Sequence, residues 1–293
     1  MTGTVLVTGA AGGQQGRTGR RVTELLRERD VPVRAMVRTL DERAEYLRGL
    51  GAEVVEADFL DFASVQQAVR GASAVYFAYP VQSGLLDATV NMAVAARNAG
   101  VQRLVDMVML VSAPDAPTPR MRENHLSEQV FEWAGIGAAH VRATVFFENV
   151  YALATAFGAL TMPLGDENTV LPLVAAEDVA RVAAGVLTAA DVPAGSSYPV
   201  VGQVLTVQEI VAALGPGFRY KNITDEAWAE AAGSRINAHA VAHLSKLWAA
   251  LRTQPRDVAV TDTIEKLAGR KPKTFAEFVA ESRAAQPSGP SAR

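Results

Sequence analysis

Cysteine is missing from all 293 residues, so neither a disulfide framework nor thiol chemistry is open to this chain. Histidine is scarce: there are four, scattered, without the spacing that metal ligands need. An excess of positive charge is also lacking. The net charge is −3, which excludes the basic field expected of a nucleic-acid binder. No apolar run approaches the roughly 20 residues that span a bilayer, and no charged segment followed by a long apolar stretch opens the chain. These absences predict a cytoplasmic protein with no metal, no nucleic-acid partner and no membrane partner. One further absence concerns catalysis. None of the six tyrosines is followed four residues on by lysine, so a tyrosine acid whose pKa is lowered by such a lysine is not available.

What is present is a 49% hydrophobic sequence, enough for a substantial core in one large domain or two joined ones. The most informative stretch is Thr4 to Leu26, TVLVTGAAGGQQGRTGRRVTELL. Val5, Leu6 and Val7 read as a buried strand, and Val22, Leu25 and Leu26 as one face of a helix. Strand, glycine-rich turn and helix open a dinucleotide-binding unit, in which the pyrophosphate sits on the helix N-terminus. Two registers of a GxxGxxG pattern are available. One begins at Gly9 and meets Gln15 where its third glycine should stand. The other, Gly13, Gly16 and Gly19, is complete and runs directly into the helix, so it is the favoured one. The turn is then about one helical turn longer than usual, with Ala10 to Gly12 as an insertion. Arg17 makes it electropositive.

Strands and helices then alternate. Strands are expected at Val33–Val37, Glu53–Glu56, Ala74–Ala78, Leu104–Val111 and Ala139–Ala143. Helices are expected from Asp41 to Leu50, from Asp61 to Val69, and over 85–99 and 123–134, with Pro114, Pro117 and Pro119 forcing an irregular loop before the last. Such alternation argues for a parallel sheet with helices on both faces. The second half is less regular. It reads as a helix over 146–159, a turn at 162–165, strands at 169–174, 198–201 and 218–222, and helices at 176–188, 206–214, 225–232, 238–252, 261–268 and 274–283. The expected fold class is therefore α/β: a Rossmann-type sheet over 1–150, rejoined by 171–202. A smaller α+β lobe takes 151–170 and 203–285. The tail 286–293, QPSGPSAR, reads as disordered.

The second strand ends AMVRTLDER, and its tip chooses between the two nicotinamide dinucleotides. An acid there accepts from the ribose 2′-hydroxyl, whereas an arginine receives a 2′-phosphate. Arg38 stands at the tip, with Arg43 within reach of the same phosphate, so NADPH is the expected cofactor. Its remaining contacts are expected from Gly9, Thr18 and Gly19, from Asp58 and Phe59 after the third strand, and from Ala78, Tyr79 and Pro80 after the fourth. Asp58 is equally suited to cap its own turn.

The glycine turn, VRAMVR, GAEVVEADFLD, NAGVQRLV, RATVFFENV and LVAAEDVARVAAGVL resemble NmrA-like proteins, a group of atypical short-chain dehydrogenase/reductases; ITDEAW and TFAEFV extend the likeness to about residue 280. The resemblance implies a substrate cleft between the two lobes and NADPH-dependent reduction of quinones, dyes or imines. Some members instead sense the cofactor without turnover. It also implies a serine or threonine near the end of the fifth strand. That position falls at Met107 or Val108 here, leaving Ser112, four residues later, as the substitute. A histidine or lysine is implied at the start of the next helix, where His125 stands as the candidate proton donor. The expected substrate wall is aromatic: Phe146, Phe147, Tyr151, Phe157 and Met162, with Trp228 and Trp248 closing it. Such a lining suits a flat aromatic or quinone-like compound. Three readings follow. The first is an NADPH-dependent oxidoreductase, the second an NADPH/NADP-sensing regulator acting through a protein partner, and the third an isomerase or cyclase. The alanine-rich helix 85–99 is a candidate homodimer contact.

Overall fold

The computed structural model describes residues 3–12, 18–253 and 257–285. The chain runs β1 (Thr4–Val7), α1 (Thr18–Arg27), β2 (Val33–Val37), α2 (Glu42–Gly49), β3 (Glu53–Glu56), α3 (Phe62–Val69), β4 (Ala72–Phe77), α4 (Leu85–Asn98), β5 (Arg103–Met109), α5 (Pro119–Trp133) and β6 (Ala138–Ala143). It continues through β7 (Val145–Phe146), α6 (Phe147–Phe157), β8 (Leu160–Met162), β9 (Val170–Val174), α7 (Ala176–Thr188), β10 (Ser196–Val200), β11 (Gln203–Thr206) and α8 (Val207–Leu214). The final elements are β12 (Tyr220–Asn222), α9 (Asp225–Gly233), α10 (Ala238–Thr253), α11 (Thr263–Ala268) and α12 (Phe275–Ala284).

Local chemistry fixes many of these boundaries. The Asp41 and Asp61 carboxylates accept from Arg43 N and Ala63 N and so cap α2 and α3. Thr206 and Thr274 close capping boxes with Glu209 and Glu277 at the starts of α8 and α12.

Seven strands form one sheet in the order β10-β6-β5-β4-β1-β2-β3, every pairing parallel. Six of them repeat the doubly wound order 3-2-1-4-5-6, and β10 adds a strand beside β6. Side chains alternate across β1. Val5 and Val7 enter one core with Val22 and Leu26 of α1 and Val182 and Val186 of α7, while Leu6 enters the other with Val65, Leu85 and Met92. All three β1 side chains are buried, and each contributes about 2 kcal/mol by leaving water. A third core gathers the later elements around Phe147, Leu173, Ile210, Trp228, Trp248 and Phe275. Here β9 pairs with β7 and β11, and β12 with β8.

Several segments differ from expectation. Helix α5 begins at Pro119, four residues early, because Thr118 caps it and Pro119 occupies the first turn, where its missing N–H is no loss. The helix expected from Phe146 starts one residue later, after Val145 and Phe146 have paired with β9. Met162, expected in a turn, ends strand β8 and is fully buried, and β11 was not anticipated.

Candidate active site

The candidate cofactor half is built where β1 meets α1. Gly19, the second residue of α1, packs so closely on the end of β1 that a Cβ there would stand 2.4 Å from Thr8 O and 2.7 Å from Gly9 O. This is the helix–strand contact that the third glycine of a dinucleotide turn provides. Gly9 itself has φ +63°, a conformation that favours glycine. Thr8 ties the neighbouring strand in: its Oγ1 accepts from Ala78 N at 2.9 Å. Thr18 and Gly19 are buried at the start of α1, whereas Gly13, Gly16 and Arg17 lie outside the described residues.

At the tip of β2, the Arg38 side chain is 77% exposed and its Nε is 3.6 Å from Asp58 Oδ2, so the guanidinium is free to receive another anion. Asp58 accepts from Leu60 N at 2.9 Å and thereby caps its own turn. Phe59 packs edge-on against Phe77 and Tyr79. Arg43 is held by Asp41, whose carboxyl it draws below the usual carboxylate range, and its Nη1 donates to Gly12 O at 3.3 Å.

Beside this turn, at the carboxyl ends of β4, β5 and β6, lies a cavity of about 530 Å³. Tyr79, Pro80 and Val81 follow β4 along one side, and Met107 to Val111 carry the end of β5 along another. Helices α9 and α10 close it with Trp228, Leu244 and Trp248, and α6 contributes Asn149, Leu153 and Phe157. The wall is largely apolar, but polar side chains interrupt it, Asn149, Thr161 and Arg235 among them. Arg120 and Asn124, on the first turns of α5, are almost fully buried. Thr144 Oγ1 is buried without a hydrogen-bond partner among the described residues. His243 Nδ1 is 2.9 Å from Thr118 Oγ1. Burial, helped by the neighbouring Arg120 charge, pushes the His243 ring down to about 3, so the imidazole is neutral. Burial likewise lowers the Arg120 guanidinium to about 10, and it keeps its charge at neutral pH.

Residues 1–279 match the NmrA-like family. The chain belongs to the NmrA-like family. Among curated relatives, an NAD(P)H azoreductase of Xenophilus azovorans is 29% identical over 281 residues, covering 93% of this chain and 97% of that protein. The (4-alkanoyl-5-oxo-2,5-dihydrofuran-3-yl)methyl phosphate reductase of Streptomyces griseus is 31% identical over 288 residues, covering 94% and 97%. In fold, the chain is similar to an NADPH-dependent quinone oxidoreductase of Escherichia coli solved with NADPH, with a TM-score of 0.81, 24% identity and coverage of 95% and 99%.

In this NmrA-like chain the candidate residues part company. Of the aromatic set, Phe146 and Phe157 line the cavity, as do Trp228 and Trp248. Phe147 and Met162 are fully buried in the third core, Phe147 against Phe275 at 5.2 Å, and Tyr151 packs edge-on against Phe278. Phe147 turns inward because it is the first residue of a helix whose opposite face covers the cavity. Ser112 is not on the wall: its hydroxyl donates to Glu128 Oε2 at 2.9 Å, and Glu128 is clamped by Arg142 at 2.7 and 2.8 Å. His125 is half-buried and also off the wall, while Asn124, one residue earlier, is on it. A helix turns about 100° per residue, so that single step separates the two faces. Glu148 accepts from Ala176 N at 3.1 Å and caps α7. The residues that sequence reasoning missed are Arg120, Asn124, Thr144 and His243. The Thr118-Pro119 pair could have exposed the first two, since it marks a helix start. Nothing local marks His243, whose place depends on α10 packing over α5.

Proposed function

We propose that this NmrA-like reductase takes NADPH in preference to NADH and reduces a small planar aromatic or quinone-like compound held in the cavity. The observation that carries the reading is the position of a largely apolar cavity of about 530 Å³ at the carboxyl ends of β4 and β5, beside the dinucleotide turn. Ligands bind at that edge of an open α/β sheet. The names of the relatives, reductases of azo compounds and of a butenolide-type phosphate, support the chemistry. NADPH when bound supplies hydride; the protein's share is positioning and exclusion of water. Thr18, Gly19 and the turn before them receive the pyrophosphate, and Arg38, with Arg43 beside Gly12, receives the 2′-phosphate. Ala78, Tyr79 and Pro80 border the path to the cavity, where Met107 to Val111 form a dry surface under the acceptor. We assign the cofactor to 1–150 with 171–202, of which β9 pairs with β7 and β11 outside the seven-stranded sheet, and we assign the acceptor to the cavity that this part walls together with 151–170 and 203–285.

Among the described residues the wall carries no carboxylic acid and no tyrosine–lysine pair, which suits acceptors whose reduced oxygen takes its proton from water. The same lack favours a second reading, a cofactor-sensing regulator with no turnover. Following NADPH absorbance with a panel of quinones separates the two: turnover supports the reductase, and tight NADPH binding with no turnover on any acceptor supports the sensor. Replacing Arg38 by Ala should raise the Kd for NADPH about tenfold and leave that for NADH nearly unchanged. Equal losses would remove the assignment to NADPH.

A further inference from the structure

Arg120 is a buried cation whose ion pair with Glu123 is stretched to 4.0 Å, the outer limit of such a contact. Its side chain is 3% exposed, and a guanidinium in that position ordinarily sits against a carboxylate. Here Nη2 donates to Tyr79 O at 2.9 Å and Nη1 to Gln82 O at 3.3 Å, and Nε has no partner among the described residues. Two of five N–H donors are therefore bonded to protein. Glu123 Oε2 stands 4.0 Å from Nη1, beyond hydrogen-bonding reach, and makes no hydrogen bond itself. His239 Nε2 is 3.9 Å from the same oxygen, and His243 nearby is neutral. The cavity wall repeats the imbalance. The described residues lining it include Arg120 and, over the Phe157 ring at 4.2 Å, Arg235, but no Asp or Glu, although the chain as a whole is net negative.

We propose that the cavity selects planar apolar molecules that end in an anionic oxygen group of the carboxylate kind, and that Arg120 is the residue that receives that group. Arg235 adds a second cation at an exposed position on the wall, where it draws such molecules in. The proposal rests on the cavity being the acceptor site, but its test does not need the cofactor.

Calorimetric titration of the cofactor-free protein with 2-naphthoate and with its neutral isostere 2-naphthamide reads it directly. Wild type should bind naphthoate about tenfold or more tightly than the amide, the scale of a charge-assisted hydrogen bond. Arg120→Gln should abolish that preference while leaving amide affinity within about twofold, which also shows that the cavity has kept its shape. Arg120→Lys, which keeps the charge, should retain most of the preference. The proposal is overturned if wild type does not prefer the anion, if neither ligand binds, or if the preference survives in Arg120→Gln. Should Arg120→Gln bind neither ligand, Arg120→Lys decides: a preference kept there supports the assignment, and one lost with normal amide binding overturns it. Failure of the reductase reading would look different, as absent turnover of neutral quinones in a protein that still discriminates the two naphthalenes.

Discussion

Two guanidinium groups beside α5, Arg142 partly exposed and Arg120 buried, are built in opposite ways. On one side Arg142 clamps Glu128 through two hydrogen bonds, and Glu128 also receives the Ser112 hydroxyl. On the other, Arg120 donates to two backbone carbonyls and lies over the Tyr79 ring at 5.6 Å, and its ion pair with Glu123 is stretched to 4.0 Å. The first arrangement is closed, because guanidinium and carboxylate meet in fixed bidentate geometry. The second is open, because a charge has been moved out of water and left partly unmatched beside a cavity. A closed pair serves the scaffold. An open one is tolerated where a ligand completes it, since a buried charge without compensation costs several kcal/mol.

The contrast can be broken most forcefully at Glu128. Its removal by Glu128→Ala strands Arg142 and Ser112 together, and unfolding in denaturant should show a loss of about 3 kcal/mol. A loss below about 1 kcal/mol would mean that the pair is not the structural half of the comparison. The next effect belongs to His243. Its folded pKa is near 3 against an ordinary value of 6.5, so the unfolded chain takes up the proton first as pH falls. Stability is then full above about pH 6.5 and declines toward pH 3, by up to about 1.4 kcal/mol per pH unit. His243→Asn should flatten that slope in the window between those two values, measured by denaturation at successive pH. An unchanged slope would place the titration elsewhere. The smallest effect should come from Glu123, the carboxylate whose ion pair with Arg120 is stretched. With no hydrogen bond to lose and part of its side chain in solvent, Glu123→Gln should cost less than about 1 kcal/mol. It should also tighten naphthoate binding several-fold, by relieving repulsion beside Arg120. A loss comparable to that of Glu128→Ala would show that both guanidinium sites are structural.

The comparison also explains which parts of the site were legible in advance. The cofactor half follows from short-range rules. A buried strand, glycines at close contacts and a helix start are contiguous in sequence, and Gly19 is where that pattern expects its tightest approach. Arg38 at a strand tip is equally local. Ser112 and His125 follow from the family resemblance alone, and their side-chain directions depend on register along β5 and α5. One sits against Glu128 instead of the cavity, and the other lies one helical position off the wall. The aromatic run after β6 divided for the same reason: Phe146 reaches the cavity and Phe147 the core. Apolar residues at helical spacing do not announce which of two apolar environments they face.

The sequence by itself determined the parallel α/β architecture, the strand and helix that flank the glycine-rich turn, and the arginine at the β2 tip, because strand–helix periodicity, capping side chains and glycine placement act over a few residues. Only the tertiary structure decided what the cavity offers a ligand. Arg120 becomes a buried cation when the loop after β4 wraps it, and His243 becomes a neutral ring when α10 packs over the start of α5. Burial, and with it the worth of a charge, is set by neighbours distant in the chain.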